Sequence, residues 1–117
     1  MNKIFHLSTC KTCQRFLSEL QPLDGFELRE IKSEPVTEAE LDRMKELAGS
    51  YEALFSRRAR KYRAMRLHEQ ELDESDYRRF LLEEYTFLKR PVVLLDDEVF
   101  AGSSKKNVAA IRERLGR

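Results

Sequence analysis

The sequence predicts an α/β domain whose elements run βαβ, a mainly helical insert, then ββα, around a central four-stranded mixed sheet. Three observations predict it. Short apolar runs at 3–7 and 92–95 are flanked by turn residues, charges and proline, as buried strands are. Between the first run and the alternating stretch 26–31 lies one segment with its apolar residues on a single helical face, long enough for a right-handed parallel crossover. After residue 90, two short apolar runs separated by acidic residues precede a last helical stripe, which reads as a hairpin and a helix.

The elements follow in order. Ile4, Phe5 and Leu7 make the first strand. Beyond the Ser8-Thr9 link, Cys13, Phe16, Leu17 and Leu20 fall at i, i+3, i+4 and i+7, one face of a helix that Pro22 and Gly25 close. Phe26, Leu28 and Ile31 alternate with Glu27, Arg29 and Glu30, a strand that slips phase at its end. Thr37 and Glu40 form a capping-box signature ahead of the stripe Leu41, Met44, Leu47, Ala48, and Gly49 ends that helix. Tyr51 to Leu72, strongly basic in its first half, follows no single period. Asp73 is the expected N-cap of a helix through Tyr77, Phe80 and Leu81 toward Tyr85, with a break near Thr86-Phe87. Val92–Leu95 reads as a buried strand, Asp96-Asp97-Glu98 as a turn, and Val99-Phe100-Ala101 as the antiparallel partner. Gly102-Ser103-Ser104 leads to a helix through Val108, Ile111 and Leu115. No repeat or linker interrupts the chain, so residues 1–117 read as one domain with a helical insertion at about 37–88, the order of a thioredoxin-like domain.

Composition excludes several classes. Lys and Arg number 22 against 21 Asp and Glu, a formal charge of +1, so neither nucleic acid nor an anionic membrane is the expected partner. The longest apolar run, Val92 to Leu95, is far short of the roughly 20 residues that span a bilayer. The N-terminal residues show no secretory signal pattern, and the expected compartment is the cytoplasm.

Cys10-Lys11-Thr12-Cys13 sits where the first strand gives way to a helix. Free backbone N–H groups and the positive helix end stabilise a thiolate there, so Cys10 is expected to have a depressed pKa and to be nucleophilic. Cys13, one turn on and in line with the apolar stripe, is the natural resolving thiol, closing a redox disulfide with Cys10. The alternatives are a zinc site, a structural disulfide, or two idle buried thiols. Zinc needs two further ligands, with His6 and His68 the only histidines, so no metal is expected. A structural staple does not suit a reducing compartment.

The N-terminal strand with Cys10-x-x-Cys13, the block Leu54-Phe55-Ser56-Arg57-Arg58-Ala59-Arg60-Lys61-Tyr62-Arg63, and Leu88-Lys89-Arg90-Pro91-Val92-Val93 together resemble the arsenate-reductase-like branch of the thioredoxin superfamily. That branch holds glutaredoxin-linked arsenate reductases, small thiol proteins of other kinds, and Spx-type regulators that bind RNA polymerase. The resemblance implies a nucleophile at Cys10, substrate-binding arginines at Arg58 and Arg90, and a cis Pro91 facing the cysteine. It implies no bound cofactor, with glutathione, thioredoxin or glutaredoxin as electron donor. Two departures stand out. No third arginine is present around Ala101-Gly102-Ser103-Ser104, where Lys105 and Lys106 are the nearest cations, and the second cysteine is typical of the regulators and of the other small thiol proteins rather than of the glutaredoxin-linked reductases. Weak or absent arsenate reduction is therefore expected.

Arg57, Arg58, Arg60, Lys61, Arg63 and Arg66 place six cations in ten residues. A solvated face balanced by the acidic stretch 69–76 is one reading; an arginine reaching an oxyanion or carboxylate is the other. Without a base-stacking platform, direct nucleic-acid binding is not expected. Two functions remain: a thiol oxidoreductase acting on a small oxyanion or disulfide with a redox partner protein, and an Spx-like redox-sensing regulator that binds RNA polymerase.

Overall fold

The computed structural model describes residues 2–117. The chain divides into two compact units, Met1–Glu34 with Arg90–Arg117, and Pro35–Lys89. The first holds strands β1 (Lys3–His6), β2 (Glu27–Glu30), β3 (Val92–Leu95) and β4 (Glu98–Ala101) with helices α1 (Lys11–Glu19) and α5 (Lys105–Arg114). The second holds α2 (Glu38–Ala48), α3 (Arg60–Ala64) and α4 (Glu74–Glu83).

In the sheet unit the strand order is β2-β1-β3-β4. β1 runs parallel to β2 and antiparallel to β3, and β3 pairs antiparallel with β4. This is the four-stranded mixed sheet expected from the element order. Register places Ile4 opposite Val93 and Val93 opposite Phe100, one apolar row across three strands. Phe16 of α1, Leu20 at its C-terminal cap, and Val108 and Ile111 of α5 pack on that row. Leu28 extends it, being opposite Ile4, yet it is 47% exposed because β2 is an edge strand. The second strand begins at Glu27 rather than Phe26. Glu98, expected in the turn, belongs to β4 and pairs with Leu95. The turn is thus Asp96-Asp97, with Asp96 in the left-handed region (φ 54) that a short polar side chain tolerates.

In the insert unit the expected capping box of α2 forms, and α4 has a second one at its expected N-cap. Thr37 Oγ1 accepts the Glu40 N–H at 3.1 Å while the Glu40 carboxylate accepts the Thr37 N–H at 3.0 Å. Asp73 and Asp76 exchange the equivalent pair at 2.9 and 3.1 Å. Gly49 closes α2 at φ 97, which glycine adopts without strain. Residues 51–72, without a stripe to bury, do not make one helix. They fold as a 3₁₀ turn at Glu52–Leu54, the five-residue α3 with no buried residue, and a second turn at Leu67–Glu69. The fourth helix stops at Glu83 instead of reaching Tyr85, because Glu84 is extended and its carboxylate starts a further 3₁₀ turn, Tyr85–Phe87. Phe55 is the centre of this unit, with ring centroids 4.9 Å from Phe87 and 5.0 Å from Tyr77. Arg78 of α4 bonds Asp42 (2.9 Å) and Glu38 (3.1 Å) of α2. Among the described residues no helix is long and apolar enough to cross a membrane.

Removing a cap tests this account of α4. Asp73→Ala is expected to cost about 1 kcal/mol and to lower Tm by about 4 °C, with Asp73→Asn restoring most of it. Circular dichroism melts at neutral pH measure both.

Candidate active site

The loop from β1 to α1 is held on both sides. The Ser8 N–H donates to the Glu30 carboxylate at 2.6 Å, and the Ser8 carbonyl accepts Gln14 Nε2 at 2.7 Å. Glu30 also accepts the N–H groups of Lys32 (2.7 Å) and Ser33 (3.2 Å). These donors, the Ser8 N–H foremost, outweigh the cost of burial and hold its pKa down to about 2, so the clamp stays ionised through the physiological range. The Cys10 N–H donates to the Leu7 carbonyl at 3.0 Å, which tightens the turn just before the helix.

Cys10 is the N-cap residue of α1, extended at φ −87 and ψ 115, and its carbonyl accepts the Gln14 N–H at 3.0 Å. Its side chain makes no cap hydrogen bond of full geometry. Partial burial pushes the Cys10 thiol up. The Cys13 N–H, the Cys13 thiol, the Thr12 N–H and the charge of Arg90 together outweigh that and hold it below the ordinary thiol value. Cys13, one turn further, is fully buried. Burial, with the charge of Cys10 adding to it, pushes the Cys13 thiol up to about 11 despite the Leu7 N–H and Arg90. Both are free thiols. Arg90 has no carboxylate partner among the described residues, so its charge acts on both sulfurs uncompensated. The Arg90-Pro91 bond is cis, as is Gln21-Pro22, which the sequence reading did not anticipate. Pro91 is buried immediately before β3. Arg90→Gln is expected to raise the Cys10 pKa and slow its alkylation at neutral pH, with a smaller effect at alkaline pH, where the thiolate forms regardless. Iodoacetamide labelling followed by mass spectrometry reads both rates.

The sequence profile of the ArsC family matches residues 5–111. The chain belongs to the ArsC family. No curated protein sequence matches it. Among solved structures it is similar to the YffB protein, at 19% identity over 94% of this chain and 97% of that one, with a TM-score of 0.81. It is likewise similar to an arsenate reductase from Vibrio cholerae, at 19% identity, 94% and 96% coverage and a TM-score of 0.74. An arsenate reductase (ArsC) related protein from Brucella melitensis shares 22% identity over 93% and 92% of the two chains, with a TM-score of 0.69. At these identities the structural likeness establishes the thioredoxin-like fold of the family.

Within this ArsC-family chain the expected site residues divide between the units. Cys10, Cys13, Arg90 and Pro91 belong to the sheet unit, and Arg58 to the insert unit. In the insert, Arg57 is committed locally: Nη2 donates to Glu52 at 2.5 Å and to the Tyr77 hydroxyl at 3.0 Å. Lys61 is held by Glu84 at 2.5 Å and Arg66 by Glu69 at 3.6 Å. Arg58 is exposed, and its guanidinium has no partner among the described residues. Of the two adjacent arginines, Arg57 is therefore part of the scaffold and Arg58 is the available cation. At Ala101-Gly102-Ser103-Ser104 the backbone is occupied structurally. Asn107 Nδ2 donates to the carbonyls of Ala101 and Gly102, both at 3.0 Å, and Ser104 caps α5. Lys105 lines a cleft with Glu19, which lies at the end of α1 opposite Cys10. A nine-residue helix places that end roughly 13 Å from its start.

Sequence reasoning missed Glu30 and Gln14, the side chains that hold the cysteine loop. The Lys32 and Ser33 bonds of Glu30 are local and carry a faint signature, a carboxylate two and three residues before free N–H groups. Its bond to Ser8 spans 22 residues and exists only because β2 lies beside β1.

Proposed function

We propose that this chain is a thiol–disulfide oxidoreductase of the ArsC family in which Cys10 is the nucleophile and Cys13 the resolving thiol. The observation that carries the proposal is the contrast between the two sulfurs, one lowered at a helix N-cap beside Arg90, the other buried and pushed up to about 11. Cys10 thiolate attacks one sulfur of a disulfide substrate, R–S–S–R′. The Cys10–S–S–R bond forms and R′S⁻ leaves. Cys13 loses its proton to solvent or the departing thiolate and attacks the Cys10 sulfur. RS⁻ is released and a Cys10–Cys13 disulfide remains. The substrate has gained two electrons and the protein has lost two. A dithiol protein such as thioredoxin or glutaredoxin, or two glutathione molecules, returns them. Arg90 favours the thiolate and offers a fork for a carboxylate or oxyanion on the substrate. Arg58 enters the proposal on the family resemblance, and the proposed compartment is the reducing cytoplasm.

Arsenate is the weaker substrate in this reading. Holding an anion against a thiolate calls for several fixed cations, and a charge-assisted bond contributes roughly 1.5–3 kcal/mol. Losing one arginine of the expected three slows the reaction about ten- to a hundredfold, and a lysine supplies charge without the bidentate fork. The test is a coupled assay with a panel of disulfides and with arsenate, supplied in turn with glutathione plus glutaredoxin and with thioredoxin. Disulfide turnover that needs both cysteines supports the proposal. Robust arsenate turnover that survives Cys13→Ser replaces it with the plain arsenate-reductase reading. Oxidant-dependent recovery of RNA polymerase in a pull-down, without turnover, replaces it with the Spx-like regulator.

A further inference from the structure

We propose that the cleft between α1 and α5 is a binding site for a small polyanion bearing phosphate or carboxylate groups. The cleft is about 430 Å³ and is lined by Glu19, Lys105, Val108, Ala109, Arg112 and Arg117. It is an open surface cleft, with Lys105, Ala109, Arg112 and Arg117 all exposed. Three of the lining residues are cations and one is an acid, and the acid, Glu19, is itself paired with Arg15 at 3.1 Å.

How the cations are held sets this cleft apart from scattered surface charge. Arg112 Nη1 donates to the Glu19 carbonyl at 2.9 Å. Arg117 donates to the Leu20 carbonyl and, at 2.7 Å, to the Pro22 carbonyl. These acceptors are neutral carbonyls, so they fix the guanidinium groups in place without pairing them to a carboxylate. A guanidinium has five N–H donors, and most remain available. Lys105 has no partner among the described residues and stands in the first turn of α5, where no acidic side chain opposes it and the helix end adds positive potential. Val108 and Ala109 supply a small apolar floor. A compact ligand with two or three negative charges fits that arrangement.

A purely structural account would have Arg112 and Arg117 cap the C-terminal end of α1, whose last turn holds no basic residue. Lys105 takes no part in that cap, so Lys105 is the residue that separates the two accounts. Neither Cys10 nor Cys13 lines the cleft, so the proposal does not rest on the thiol chemistry.

Pyrophosphate and citrate, titrated into the full chain at low salt and followed by amide NMR, probe the phosphate and carboxylate sources separately, with chloride as control. Saturable shifts at Val108, Ala109 and Gly116 are expected from at least one probe, with Kd below roughly 1 mM, and unchanged in Cys10→Ser. Lys105→Ala is expected to weaken binding roughly tenfold without lowering Tm, and Lys105→Arg to restore it. Shifts that fail to saturate, that match those from chloride, that centre on Thr12 and Cys13, or that persist undiminished in Lys105→Ala overturn the proposal.

Discussion

Cys10→Ser is expected to remove disulfide turnover by on the order of a thousandfold or more, because a hydroxyl at this position is neither ionised nor a comparable nucleophile. Its effect differs in kind from that of Cys13→Ser. Without the resolving thiol the first attack still proceeds, so one equivalent of R′S⁻ is released and the Cys10–S–S–R adduct accumulates, visible by mass spectrometry as an added R group. The pH dependence follows from the two environments. A lowered pKa gives Cys10 a larger thiolate fraction near neutrality, so its iodoacetamide labelling levels off at a pH below the ordinary thiol value. Cys13, fully buried and pushed up to about 11, labels slowly and continues to gain as pH rises. Faster labelling of Cys13 at neutral pH would reverse the assignment of the two thiols. Glu30 adds a positioning contribution: Glu30→Ala is expected to release the Ser8 N–H, slow Cys10 labelling at neutral pH and move its profile upward, with Glu30→Gln recovering part of both.

Phe16→Ala is expected to cost about 3–5 kcal/mol, a large share of the roughly 5–15 kcal/mol that holds a domain folded. Phe16 is fully buried on the inward face of α1, in one cluster with Ile4, Val93 and Ile111. Its removal leaves a cavity between helix and sheet that rigid strands fill poorly. The same helix presents Cys10, so the variant is also expected to label less selectively at Cys10 as α1 loosens. Leu28→Ala, at an edge position 47% exposed, is the contrasting substitution, with an effect within about 0.5 kcal/mol. Urea unfolding followed by circular dichroism gives both. A loss under about 1.5 kcal/mol for Phe16→Ala would mean that the site collapses around the gap.

Much of the fold was legible because its signals are local. The i, i+3, i+4, i+7 spacing from Cys13 to Leu20 defines the buried face of α1, and Thr37 with Glu40, and Asp73 with its free N–H groups, mark helix starts within four residues. The four-residue run Val92–Leu95 is buried throughout, as a central strand flanked on both sides should be. Residues 51–72 were opaque for the converse reason. Their conformation follows from side chains bonding to distant partners, as Lys61 does to Glu84 and Arg57 to Tyr77, and no repeat of apolar residues records that.

The sequence by itself determined the α/β class, the family, and the placement of a cysteine pair at a strand-to-helix junction, since each depends on residue types at short spacing. Only the tertiary structure decided which cations are available and what holds the cysteine loop. Arg57 and Arg58 are neighbours of identical chemistry, and the difference between scaffold and free charge lies in whether Glu52 and Tyr77 stand within hydrogen-bond reach. Lys105 and Lys106 looked equivalent as substitutes for a missing arginine until the packing of α5 set Lys105, and not Lys106, in the cleft that Glu19 lines. Glu30 is one acidic residue among many in the chain, and becomes a clamp only where parallel pairing of β1 and β2 brings Ser8 to it. Hydrogen bonds and charges act over a few ångströms in space, and contacts between residues far apart in sequence follow from the fold rather than from local spacing.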